Sequence, residues 1–86
     1  MPEIEIYTQP WCGFCVRAVR VLQSKGIAFR EIDAPPGSPE RAEATRRSGG
    51  RTTAPQIFID GKPIGGCDEL LALDRAGTLD AMLKAA

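Results

Sequence analysis

Histidine is absent from the 86 residues, and with it the commonest metal ligand and the usual general base. A net charge is absent too: 11 Lys and Arg balance 11 Asp and Glu, so no overall field draws nucleic acid or an anionic membrane surface to the chain. No apolar run approaches the roughly 20 residues that span a bilayer. The opening Met1-Pro2-Glu3 carries neither the basic stretch nor the apolar core of a secretory signal, which sets the expectation of a cytosolic protein. Cysteine is scarce: three residues are too few, and odd in number, for a disulfide scaffold. In a reducing compartment they point to catalysis or metal binding instead. There is no room for a second domain, and the expectation is one domain over residues 1–86.

What is present is ordered by apolar periodicity. Glu3, Ile4, Glu5, Ile6 and Tyr7 alternate with the period of a half-exposed strand, which Pro10 stops. Cys15, Ala18, Val19 and Leu22 recur at helical spacing, which predicts an amphipathic helix from Gly13 to near Gly26. Ile27 to Ile32 is expected as a second strand, parallel to the first as in any βαβ unit. Ser38 is a good N-cap and Pro39 suits a first helical position, so Pro39 to Ser48 reads as a polar surface helix closed by Gly49-Gly50. Gln56-Ile57-Phe58-Ile59 follows Pro55 as a third strand, and Asp60-Gly61 turns it back into Lys62-Pro63-Ile64-Gly65. Asp68 is expected to cap a helix to about Ala76 with Leu70, Leu71 and Leu73 towards the sheet, and Thr78 starts a short last helix. The predicted architecture is an α/β sandwich on a four-stranded mixed sheet.

Cys12 and Cys15 stand where the first strand gives way to the first helix, a placement that suits a dithiol able to close into a disulfide and reopen. Half of a zinc site is the competing account, but only Cys67 remains to complete a tetrahedral ligand set. Exchange needs a thiolate, and an ordinary thiol with a pKa of about 8.5 is mostly protonated at neutral pH. Cys12 precedes the first turn, where unpaired N–H groups and the helix dipole favour an anion, while Cys15 lies inside that turn. Cys12 is therefore the expected nucleophile and Cys15 the resolving thiol. Arg17 either adds positive potential or points to solvent. Trp11 and Phe14 are either plain apolar surface or a rim that meets substrate, the second reading being preferred for Phe14. Arg41, Arg46, Arg47 and Arg51 form either a solvated face or a source of cations for a ligand.

Four separated signatures then carry a resemblance: Tyr7-Thr8 with Cys12, the C-x-x-C pair with aromatic Phe14 inside it, Thr53-Ala54-Pro55 before a strand, and Gly65-Gly66-Cys67-Asp68 before a helix. Together, and nearly end to end, they resemble a small bacterial glutaredoxin of thioredoxin-like fold. The resemblance implies a glutathione-dependent thiol-disulfide oxidoreductase acting on disulfide-containing or glutathionylated proteins. It implies that Pro55 is cis and faces the active thiol, and that Thr53 and Ala54 line the site, Ala54 offering its backbone to the cysteine of glutathione. It also implies that Gly66 and Cys67 present N–H groups to the γ-glutamyl carboxylate and that Asp68 pairs with the ammonium. Cys67 matches a third cysteine of some members, with packing its expected role.

Two positions depart from the usual pattern. Gln9 stands where many members carry a lysine for the glycine carboxylate of glutathione, so Arg51 or another arginine of the cluster is expected to supply that cation. Gly13 stands where dithiol members carry proline, and CGFC lies between the CPYC and CGFS forms. Members lacking that proline include some that hold a [2Fe-2S] cluster between two protomers. In that alternative Cys12 is a cluster ligand and the chain a dimer; otherwise a monomer is expected. A third alternative is a redoxin of this shape reduced by thioredoxin reductase, which Gln9 and Trp11-Cys12-Gly13 favour.

Overall fold

The computed structural model describes residues 2–84. Strand β1 (Ile4–Thr8) lies inside a four-stranded sheet, with β2 (Arg30–Asp33) parallel on one side and β3 (Gln56–Ile59) antiparallel on the other. β4 (Lys62–Gly65) pairs antiparallel with β3 through the Asp60-Gly61 turn, giving the order β2-β1-β3-β4. Both turn residues sit at positive φ, 51° for Asp60 and 79° for Gly61, the backbone that tight hairpins demand.

Helices α1 (Gly13–Ser24), α3 (Cys67–Arg75) and α4 (Thr78–Lys84) share one core with the sheet, and α2 (Pro39–Arg47) packs on a separate apolar cluster. The main core joins Ile4, Ile6, Ala18, Leu22, Ile57, Leu70 and Leu79, with Leu71 and Leu73 packed against it. Each fully buried aliphatic side chain there contributes about 1.5–3 kcal/mol of transfer free energy. Tyr7, Ala34, Ala44 and Phe58 form the second cluster. Among the described residues no helix is long and apolar enough to cross a membrane.

Three local expectations are corrected. β1 is buried along its whole length, Glu5 included, because α2 covers the face that alternation assigned to solvent. Arg47 does the covering: its guanidinium lies 4.2 Å from the Phe58 ring centroid and 5.7 Å from that of Tyr7, and it grips Glu5 through two nitrogens. α2 is thus a packed helix as well as a polar one. β2 runs Arg30–Asp33 instead of Ile27 to Ile32, since pairing starts where Arg30 meets Glu5, and Ile27 and Phe29 pack against the main core before it. α3 is capped at Gly66, not Asp68, and the Gly66 N–H donates to Glu69 Oε1 at 2.6 Å. This is the half of a capping box that a glycine N-cap permits.

Candidate active site

The β1–α1 connection presents Cys12 as the N-cap of α1, with extended backbone and its sulfur accepting the Cys15 N–H at 3.1 Å. An N–H donor and the open end of a helix both favour negative charge on that sulfur. Cys12 is half-buried and reachable; Cys15 is 3% exposed. Burial, then the hydrogen bond to Cys12, pushes the Cys15 thiol up to about 12. The Gln9 backbone and the Arg41 charge act against that rise. The pair is therefore split into an accessible sulfur that the backbone solvates and a hidden one that keeps its proton.

Opposite the thiols, the Ala54-Pro55 peptide is cis, and the Ala54 carbonyl lies 3.9 Å from Cys12 Sγ. Gln56 anchors this loop, its Nε2 donating to the carbonyls of Arg51 and Thr53 at 2.8 and 2.9 Å. Beside it opens a cleft of about 210 Å³ with Thr53, Ala54 and Pro55 on one side and the start of α3, Gly66 to Glu69, on the other. Phe14 and Arg51 also line it. The N–H groups of Cys67 and Asp68 are first-turn donors that no carbonyl within α3 can reach. Cys67 is 5% exposed and its thiol is raised chiefly by burial, against which the Arg17 charge acts.

The structure brings Phe14, Arg51, Thr53, Ala54, Pro55, Gly66, Cys67 and Asp68 to this one cleft, with the Cys12 sulfur at the Ala54 carbonyl. Gln9 is not among its lining residues: it lies beside Thr8, Pro10, Glu31 and Asp33, and Arg41 Nη2 donates to its Oε1. Arg51 Nη2 meets Glu69 Oε1 at 3.2 Å, so it enters the cleft partly neutralised. The hydrogen bond from Gly66 N–H holds the Glu69 carboxyl below the ordinary carboxylate range, with Arg51 adding to it. Sequence reasoning passed over Glu69 and the Gln9 contact of Arg41. The first had a signal, an acidic residue three places after a helix N-cap; the second, 32 residues apart in the chain, had none. Trp11 is fully exposed at φ 60° beside Cys12, with Phe14 and Val16 also exposed.

A family profile described as glutaredoxin matches residues 4–64. The chain is 55% identical over 86 residues to a glutaredoxin of Pseudomonas aeruginosa, covering 99% of this chain and all of the relative. The solution structure of a Brucella melitensis glutaredoxin superposes with a TM-score of 0.79 at 52% identity, covering 95% of this chain and 88% of that one. A buckwheat glutaredoxin solved as its glutathione complex gives a TM-score of 0.82 at 28% identity, over 95% and 76% of the two chains. The profile takes in both thiols and the Ala54-Pro55 wall, and with identity sustained across nearly the whole length the chain belongs to the glutaredoxin family and is a thiol-disulfide oxidoreductase.

Proposed function

We propose that the chain reduces protein disulfides and glutathione mixed disulfides with glutathione as the reductant. The observation that carries this reading is the placement of the Cys12 sulfur, capped by the Cys15 N–H, at the Ala54 edge of a cleft whose far wall is the open start of α3. Such a cleft offers an extended peptide backbone partners at Ala54, anion-binding donors at Cys67 and Asp68, and a carboxylate at Asp68. Glutathione, with a thiol, a free ammonium and two carboxylates, suits those groups, and the buckwheat relative was solved with it bound.

In this reading the Cys12 thiolate attacks a substrate sulfur, forming a mixed disulfide while the other sulfur leaves as a thiolate and takes a proton. Cys15 then gives up its proton and attacks Cys12 Sγ, closing the Cys12–Cys15 disulfide and releasing the second substrate thiol. Alternatively, glutathione attacks the intermediate, and Cys15 is not needed. Burial and the hydrogen bond to Cys12 raise the Cys15 thiol and so favour its protonated form beside a free Cys12. Activity of this kind belongs in the cytosol, where glutathione is held reduced.

A [2Fe-2S] cluster shared between two copies is the second reading, and Gly13 is its motive: nothing lies within 4 Å of a Cβ built there. Each chain would give Cys12, the more accessible thiol of the pair. Glutathione would supply the remaining thiolates. The test of the main reading is to oxidise the protein and offer two reductants, glutathione with its reductase and thioredoxin reductase. Rapid reduction by glutathione supports it; reduction by thioredoxin reductase alone refutes it.

A further inference from the structure

Arg41 spends one guanidinium on three loops. Its Nε donates to the Ala34 carbonyl at 3.0 Å, its Nη1 to the Thr52 carbonyl at 2.8 Å, and its Nη2 to Gln9 Oε1. Its own N–H donates to Ser38 Oγ, which roots the residue in the first turn of α2. Gln9 lies three residues before Cys12, in the loop that delivers the nucleophile. Thr52 lies two residues before Ala54, in the loop whose carbonyl stands 3.9 Å from the Cys12 sulfur.

We infer that Arg41 is a positioning residue: it fixes the separation of the thiol loop from the cleft wall, so that a bound substrate sulfur arrives in line with Cys12. The inference rests on the proposed glutathione chemistry of the same site. The planar, forked guanidinium is what the task requires, because one group must meet three acceptors in different directions while staying rigid. A lysine carries the same charge and cannot span them. The arrangement also gives Gln9 a use: an amide oxygen accepts from Arg41, where a lysine at that place would repel it. Arg41 itself is thus committed to two backbone carbonyls and the Gln9 amide, which leaves Arg51 as the arginine that lines the cleft.

Misplacing a reactive group by about an ångström costs up to roughly a hundredfold in rate. Arg41→Met and Arg41→Lys are both expected to lower kcat/KM for a glutathionylated peptide by about tenfold or more, mostly through a higher KM. Trp11, the sole tryptophan, sits in the thiol loop and reports on it directly. Its fluorescence anisotropy is expected to fall in both variants as the loop loosens. Gln9→Leu, at a half-buried position, is expected to change KM and anisotropy in the same direction and to a smaller degree. A variant that merely loses stability would lower kcat per mole of protein and leave KM alone. Full rescue by lysine, or an unchanged KM in Arg41→Met and Gln9→Leu with wild-type turnover intact, overturns the inference. Absence of turnover in the wild type would instead refute the glutathione reading.

Discussion

The Cys15 backbone N–H is directed at the Cys12 sulfur 3.1 Å away, while the Cys15 side chain is sealed beneath α1. One residue thus solvates the Cys12 sulfur through its backbone and carries a buried thiol on its side chain. This division follows from the three-residue spacing: a helix N-cap side chain accepts from the N–H three places on, and the residue that supplies it faces inward. Iodoacetamide at neutral pH is expected to add a single group per folded chain, at Cys12, and three after unfolding. Mass spectrometry of the peptides checks the count; prompt labelling of Cys15 or Cys67 in the folded protein would show that burial does not protect them.

Arg47 and Glu5 form the pin between α2 and the sheet, with side chains 21% and 11% exposed and 2.8 Å between the charged groups. Arg47→Met leaves a carboxylate under the helix without its main partner and is expected to destabilise the fold by about 2 kcal/mol, read by urea unfolding. The hydrogen bond from Arg47 holds the Glu5 carboxyl below the usual value, and the charges of Arg47 and Arg30 add to it against burial. The unfolded chain therefore binds this proton more readily than the folded one. The stabilisation is complete above the ordinary glutamate value of about 4.3 and is lost as pH falls through the lower folded value. Glu5→Gln is expected to flatten that acid limb; an unchanged limb would assign it to other carboxyls.

How far the sequence reveals this arrangement depends on the distance between the residues that decide it. The helix over Gly13–Ser24 is visible because Cys15, Ala18 and Leu22, all buried, repeat at its own period. The hairpin is visible because Asp60-Gly61 is itself the turn. β1 misleads, since alternation describes a strand with one wet face, and Arg47, 42 residues away, covers that face. β2 begins late because its register is set by Glu5 against Arg30, and the apolar Ile27 and Phe29 pack on the core without joining the ladder. Of the residues expected to bind substrate, Gln9 falls outside the cleft, and the reason is again a partner remote in the chain, Arg41.

Gly65 stands where a side chain is disfavoured both by backbone conformation and by its neighbour. Its φ is 119°, and a Cβ there would meet Glu69 Cγ and Oε1 at 2.7 Å. Gly65→Ala is expected to cost about 1–3 kcal/mol and to push Glu69 off the Gly66 N–H, loosening the wall of the cleft. Thermal unfolding measures the first effect and KM for glutathione the second; a variant with native Tm would contradict the account.

Asp68 is exposed at the open start of α3 and lines the cleft. If it pairs with the ammonium of glutathione, Asp68→Asn removes one exposed charge pair, worth about 0.2–1 kcal/mol. KM for glutathione is then expected to rise by up to about fivefold with kcat retained, and the increase to shrink in high salt. A fall in kcat at constant KM would assign Asp68 to the chemical step instead.

The proposed role of Cys12 as the nucleophile of a glutathione-coupled reaction is measured most directly by reduction of a glutathionylated peptide followed through glutathione reductase. Cys12→Ser is expected to abolish turnover, while Cys15→Ser keeps it and loses only the reduction of protein disulfides that need the second thiol. Turnover retained in Cys12→Ser, or lost equally in both variants, would contradict it.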